Sequence, residues 1–320
     1  MSAHLAALLA ATVLDRLVGD PPWLWRRVPH PVVVFGRAIA WVDRRFNRDA
    51  LSFAARRRNG VVSILSLLAV TLAVGVGLHA ILSGLGMAGL ALEALVAAVF
   101  LAHKSLADHV EAVARALRQE GLAGGRRAVS MIVGRDPDGL DEAGVCRAAI
   151  ESLAENASDG LVAPFLAYLV LGLPGLLAYK LLNTADSMIG HRSERHLAFG
   201  WAAARLDDLA NLVPARLTAL LFALASGPAF ARALRAAWRD AGTHRSPNAG
   251  WPEAAVAGAL GLALGGPRRY GEILVDAEHL NAGGRRDARP ADIDRSLVLL
   301  ARLGNILLAA LGLSLLASLT

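Results

Sequence analysis

The sequence predicts an all-α, polytopic integral membrane protein with broken or re-entrant helices and cytoplasmic helical segments. Three observations predict it. Hydrophobic residues make up 55% of the 320 and mean hydropathy is +0.46, more than a soluble domain of this length usually carries. Several apolar stretches are long enough for a hydrocarbon core of roughly 30 Å. Arginines gather at the ends of those stretches, as expected for cytoplasmic loops. The formal net charge of +6 therefore sits in loops facing anionic lipid or phosphorylated ligands. With aromatic residues at only 5% and no stacking motif, nucleic acid is not expected as a partner. The single cysteine, Cys146, excludes an intrachain disulfide and a Cys-based zinc ribbon, and is read as packing.

Residues 5 to 14 are apolar, but Asp15 and Arg16 end the run early, and no basic leader or cleavage site marks a signal peptide. Asp15 to Pro22 and Pro29-His30-Pro31-Val32 form a turn-rich segment, because proline fixes φ and glycine permits tight turns. Residues 61–82 are the clearest span, and Arg56-Arg57-Arg58 place its start in the cytoplasm. The chain returns through residues 87–102 after a short outer turn near Ser83 to Gly86. Lys104, Arg115, Arg118, Arg126 and Arg127 then restore a basic face. Glu93, inside the second span, is assigned to the outer interface.

Residues 161–182 pose a topological question, because a full crossing would put Asp159 and Asp186 on opposite sides of the membrane. Gly172-Leu173-Pro174-Gly175 breaks the helix. A re-entrant hairpin, residues 162–171 inward and 176–182 outward, would return both acids to one cytoplasmic surface; the alternative is a kinked full span. Residues 209–226, ended by Gly227-Pro228, carry the same ambiguity, and residues 297–319 form a final span with Arg302 at its cytoplasmic end. The whole chain is read as one membrane-embedded domain.

Three polar clusters border these apolar segments, where unpaired charge is costly. In the first, Arg147, Glu151, Glu155 and Asp159 are four residues apart and share a helix face. Such a stripe suits a cation or an ordinary solvated helix with Arg-Glu pairs. Asn156 and Ser158 add short oxygen-bearing side chains suited to magnesium or phosphate. The second cluster places Asn183, Asp186 and Ser187 on one face, with Lys180 a turn earlier. In the third, Arg205 faces Asp208 and Asp207 faces Asn211; adjacent aspartates repel, and a divalent ion or an arginine is their natural partner. The three together favour metal-assisted phosphate chemistry over separate structural pairs. His244 to Glu253, including Asn248, leads into the small-residue run Ala257 to Pro267, but no Walker or dinucleotide fingerprint is present.

Gly19-Asp20-Pro21, Pro29-His30-Pro31-Val32, Gly134-Arg135-Asp136, Glu151 to Gly160, Asn183 to Met188, Phe199-Gly200, Ala204 to Asn211 and Ser246-Pro247-Asn248 follow one another in a characteristic order. In this the chain resembles the adenosylcobinamide-phosphate synthases of cobalamin biosynthesis, the CobD/CbiB family, from about Asp15 to Gly266. Ala157, and Pro137 after Arg135-Asp136, depart from the family pattern, where threonine is expected at both places. The resemblance implies a carbon-nitrogen ligase of the inner membrane with its active site facing the cytoplasm. It would use ATP to join adenosylcobyric acid to aminopropanol phosphate, or to the free aminopropanol. Glu151, Glu155, Asp159, Asp186, Asp207 and Asp208 would then be the catalytic acids, with magnesium on Glu155, Asp159, Asp186 and Asp208. Arg135, Lys180 and Arg205 would clamp phosphate. His30, Asn156, Ser158, Asn183, Ser187, Asn211 and Asn248 would contact substrate or phosphate. Expected partners are the corrinoid, the aminopropanol phosphate and membrane lipid, with a homo-oligomer or a complex with other corrinoid-pathway enzymes also compatible. Two other classes fit a charged membrane site: a magnesium-dependent transferase acting on a lipid pyrophosphate or alcohol, whose paired Asp motifs are incomplete here, and a transporter or scaffold.

Overall fold

The structure, a computed structural model, describes residues 2–134, 136–191, 193–266, 268–270, 273–275 and 278–318. The chain divides into two bodies: Met1–Leu101 with Ala163–Asn211 and Ser314–Thr320, and Ala102–Val162 with Leu212–Leu313.

In the first body, helix α1 (Ser2–Val18) buries Leu5, Ala7, Leu8 and Ala11, so the apolar run at the N-terminus is a packed helix. Helix α2 (Pro22–Trp25) is one turn, and its proline start follows the preset φ of the ring. Helix α3 (Pro31–Phe46) is N-capped by His30, whose Nδ1 accepts the Val32 N–H at 3.2 Å. Helix α4 (Phe53–Ser83) starts at the Ser52 cap and takes the arginine triplet into its first turns; after Gly86, at φ +58°, α5 (Gly86–Ala98) returns. Helix α5 thus ends four residues before Ala102.

Helix α8 (Ala163–Ile189) packs along α4 and α3, and α9 (Trp201–Ala210) packs on α4 and α8. Ile39, Val42, Ile64, Leu181, Leu182, Ala185, Ile189, Phe199 and Ala203 form the core they share. The break expected in α8 is present: Gly172 adopts φ +66° and ψ −157° two residues before Pro174. Proline cannot donate its backbone hydrogen bond and its ring crowds the carbonyl four residues back, so the helix must open there. Pro174 lies so close to α4 that a Cβ on Gly75 would sit 2.6 Å from its Cα. Glycine is what lets the two backbones approach.

Glu93 is buried within the protein. It is 5% exposed and accepts the Tyr168 hydroxyl at 2.6 Å on Oε1, while its Oε2 lies 2.9 Å from His79 Nδ1. A carboxyl among apolar helices is retained only with such partners.

In the second body, α6 (His103–Val129) breaks at Gly121 and packs on α7 (Glu142–Asn156). Asp141 caps α7 by accepting the Gly144 N–H at 2.7 Å, and the helix continues as a π-helical stretch, Ala157–Val162. Helices α10 (Leu212–Ala225), α11 (Phe230–Asp240) and α12 (Gly250–Leu260) pack on one another, and α13 (Pro290–Ala317) closes the chain. Strands are the feature an all-α reading leaves out. After Gly261, left-handed at φ +70°, β1 (Leu264–Gly265) pairs antiparallel with β4 (His279–Leu280), and β2 (Arg268–Tyr270) with β3 (Ile273–Val275).

By length and composition, four helical stretches among the described residues could cross a membrane: Phe53–Ser83, Gly86–Val129, Glu142–Ile189 and Pro290–Ala317. A fifth is counted if Trp201–Ala210 and Leu212–Ala225 are taken together. The protein is an all-α polytopic membrane protein, its broken helices marked by Gly121 and Gly172.

Candidate functional site

The second and third polar clusters meet in the first body because α9 packs on the C-terminal half of α8. Asp207, buried at 7% exposure, accepts the Asn211 amide at 2.9 Å through Oδ2. Asn211 Oδ1 in turn accepts the Tyr179 hydroxyl at 2.9 Å. Tyr179, Asn183 and Asp186 follow the three- and four-residue spacing of one α8 face. Asp186 and Asp208 both lie within electrostatic reach of Asp207, which concentrates three carboxyl groups at one end of the body.

The donors do not finish the job. Asp207 Oδ1 is buried with no hydrogen-bond partner among the described residues, and a buried carboxylate oxygen left unpaired costs free energy unless a cation or ligand meets it. Asp186 lies hard against Gly190, where a Cβ would stand 1.9 Å from its Oδ1, so the turn after α8 leaves room for that carboxyl alone. Asp208 pairs with Arg205 at 3.8 Å, the (i, i+3) contact its spacing predicted. Ser187 spends its hydroxyl on the Asn183 carbonyl at 3.0 Å, inside its own helix. Lys180 is half-buried on the same helix. Among the described residues no three His, Cys, Asp or Glu side chains converge as a metal cage. A pair of hard carboxylates is nonetheless what magnesium uses when substrate phosphates complete its shell.

A second network braces this end. Asp43 accepts Asn47 at 2.7 Å and Arg195 at 2.8 and 3.2 Å, and Arg56 donates to Asn47 Oδ1 at 2.7 Å and also reaches the Arg195 carbonyl. Burial works against the Asp43 charge, but the Asn47 and Arg195 hydrogen bonds outweigh it and hold the carboxyl below its ordinary value. Arg57 stacks on Trp201 at 3.8 Å from the ring centroid, fixing the start of α9. His30, assigned to substrate, caps α3 and lies 3.5 Å from Asp20.

The first cluster belongs to the second body. Its even stripe ends at Asn156, because the π-helical turn that follows widens the helix and shifts Asp159 off the four-residue register. Arg147 donates to the Arg286 carbonyl at 2.5 Å, and buried Glu151 accepts the Gly265 N–H at 2.8 Å, anchoring β1. Glu155 is exposed and Asp159 half-buried. Ser158, 1% exposed, has an Oγ with no hydrogen-bond partner among the described residues. Asn156 Nδ2 donates to the Ser152 carbonyl at 2.9 Å, and Ser152 Oγ donates to the Ile132 carbonyl at 2.8 Å. These bonds frame a cleft of about 430 Å³ among residues 102–160. Asn248, buried at 6%, lies 3.5 Å from Arg216, which also stacks on Trp251. Arg135 lies outside the described residues.

Sequence reasoning missed Tyr179, Asp43 with Arg195, and the cleft. Tyr179 was legible as the residue four before Asn183; the other two join segments far apart in sequence and left no local signal.

Residues 8–300 match the family model described as CobD/Cbib protein. A cobalamin biosynthesis protein CobD of Sinorhizobium sp is 60% identical over 303 residues, covering 93% of this chain and 94% of that one. Those of Brucella suis biovar 1 (strain 1330) and Rhodobacter capsulatus are 57% and 49% identical, each covering 93% of both chains. No solved structure matches.

Proposed function

Since the chain belongs to the CobD/Cbib protein family, we propose that it acts in cobalamin biosynthesis as an ATP- and magnesium-dependent carbon-nitrogen ligase. Its substrates are adenosylcobyric acid and aminopropanol phosphate, or the free aminopropanol, and its product the corresponding cobinamide. The observation that carries this reading is the orphaned Oδ1 of buried Asp207 beside Asp186, a polar end that calls for a cation.

A carboxylate resists attack by an amine, so it is activated first. A carboxylate oxygen attacks the γ-phosphorus of ATP, ADP leaves, and an acyl phosphate forms. The amine lone pair then attacks the carbonyl carbon, the nitrogen loses a proton, and phosphate departs with one of the original carboxylate oxygens. Asp186 and Asp207 would hold magnesium, which neutralises charge on the phosphate oxygens in transfer. Asn211 orients Asp207, Tyr179 orients Asn211, and Asn183, Ser187 and Asn156 with Ser158 keep their proposed contacts to substrate or phosphate. In the first body Asp208 as a further acid, Lys180 and Arg205 as phosphate clamps and His30 as a substrate contact belong to the same proposal; for the second body the proposed roles are Glu155 and Asp159 as acids, Arg135 as a phosphate clamp and Asn248 as a substrate contact. Holding the two reactants together supplies much of the rate by proximity.

Oxygen-18 placed in the corrinoid carboxylate is expected to appear in the released phosphate. Unlabelled phosphate would exclude the acyl phosphate. The site faces the cytoplasm in this reading, where ATP is available.

A further inference from the structure

Helix α3 has one face inside the first body and one outside it. Ile39, Val42 and Asp43 are buried, and Phe35 and Phe46 pack against the core that Ile39 and Val42 help to form. The residues left outside, Val33, Val34, Arg37, Trp41, Arg44 and Arg45, recur at three- and four-residue steps and so form the opposite stripe of the helix. Trp23 of α2 and Val28 after it are exposed as well, and Trp23 and Trp41 leave 58% and 57% of their surface open. Five large apolar side chains exposed within 19 residues, from Trp23 to Trp41, are more than scattered surface residues and mark a contact surface.

Charge decides what kind of contact. Residues 22–48 hold six arginines, Arg26, Arg27, Arg37, Arg44, Arg45 and Arg48, and one acid, Asp43. Asp43 is buried and accepts Asn47 and Arg195, so no carboxylate of this stretch faces outward among the arginines. All six arginines are exposed. Arg45 lies over the Phe46 ring, 5.4 Å from its centroid, and the other five make no side-chain hydrogen bond or ion pair among the described residues. A second copy of this chain on the same face would set arginine against arginine. A phospholipid surface supplies both complements in layers: phosphate oxygens for the guanidinium groups, and the acyl boundary for valine and the indole rings. The stretch also leads directly into α4, which is long and apolar enough to cross a membrane and carries Arg56-Arg57-Arg58 in its first turns.

We propose that α2 and α3 lie along the membrane surface and bind anionic phospholipid headgroups, with Arg26, Arg27, Arg37 and Arg44 on the phosphates and Val33, Val34 and Trp41 in the acyl boundary. The selectivity for anionic lipid comes from the number of arginines left without a protein partner. Since Ile39 and Val42 share a core with Leu181, Leu182 and Ala185, lipid held by α3 also seats the half of α8 that carries Asn183 and Asp186.

The test uses full-length protein in a Cys146→Ala background, with a spin label on Val34→Cys, in vesicles of phosphatidylcholine alone or mixed with phosphatidylglycerol. Collision with oxygen, which concentrates among acyl chains, is compared with collision with a water-soluble nickel chelate. The label is expected to favour oxygen, and to do so more strongly when phosphatidylglycerol is present. Arg37→Gln with Arg44→Gln should abolish that added immersion, and Arg26→Gln with Arg27→Gln is the independent second pair. In detergent, each pair is expected to weaken binding of short-chain phosphatidylglycerol about tenfold or more and to leave phosphatidylcholine binding as in the wild type. A label bathed in water in both kinds of vesicle overturns the proposal, as does unchanged phosphatidylglycerol affinity in both pairs. Disulfide-linked dimers of unlabelled Val34→Cys protein would put a second copy on this face and overturn it. Displacement of phosphatidylglycerol by inorganic phosphate would assign the arginines to a soluble phosphate ligand, which also overturns it. Thermal unfolding of each variant identifies any pair that fails to fold, and the other pair then carries the test.

Discussion

Asp207 is where the account is most exposed at the scale of single residues, because its buried Oδ1 has no hydrogen-bond partner among the described residues. Asp207→Asn removes the charge and keeps the shape. The expected result is a fall in kcat of about two to three orders of magnitude, as when a group stabilising a transition-state charge is lost. Folding stability should hold or rise, since an uncompensated buried charge is gone. Loss of folded protein with unchanged turnover would make Asp207 structural. Asp43 gives a pH dependence whose sign is fixed. Burial disfavours its charge, yet the Asn47 and Arg195 hydrogen bonds hold its carboxyl below the ordinary value. Its stabilisation is therefore fully present above the usual carboxylate pKa, near 4, and is lost as pH falls through the lower folded value. Thermal midpoints measured from pH 6 to 3 should drop more steeply for the wild type than for Asp43→Asn in the acid part of that range. The (i, i+3) and (i, i+4) pairs were legible at this scale: Arg205 with Asp208 and Asp207 with Asn211 are contacts that helical spacing alone dictates. Glu93 was not, because its partners His79 and Tyr168 come from other helices.

Among the elements, α4 and α8 make the closest approach that the fold requires. A Cβ at Gly75 would meet the Pro174 backbone at 2.6 Å, while Gly77, two residues on, has nothing within 4 Å. Gly75→Ala should destabilise the protein by about 1–3 kcal/mol through overpacking, with Gly77→Ala near neutral or slightly stabilising in the same denaturation series. Equal effects would mean that α4 and α8 do not touch there. The break in α8 could be read from Gly172-Leu173-Pro174 because proline chemistry is local. The π-helical turn after Asn156 could not: an extra residue per turn is stabilised by what packs around it, and the sequence shows only a regular four-residue stripe. The small strands after Gly261 escaped for the same reason, since two- and three-residue ladders carry no periodicity.

For the molecule as a whole, composition was enough to predict the class, since apolar stretches of spanning length follow from hydropathy alone. The site was legible as three polar clusters, but which of them share a body depends on the path of the chain, and the cleft gathers side chains between residues 102 and 160. The re-entrant reading of the segment around Gly172 makes a topological prediction. In a Cys146→Ala background, Asp138→Cys before α7 and Glu194→Cys after α8 should both react with an impermeant maleimide in inverted vesicles and neither in intact spheroplasts. Labelling from opposite sides would establish a full crossing.

The central claim, amide ligation by this chain, is tested most directly by mass spectrometry of the purified protein incubated with magnesium-ATP, adenosylcobyric acid and aminopropanol phosphate, beside Asp186→Asn. The account predicts adenosylcobinamide phosphate with one ADP per product, lost in the variant. Folded wild-type protein that makes no amide from either the phosphorylated or the free amine would contradict it.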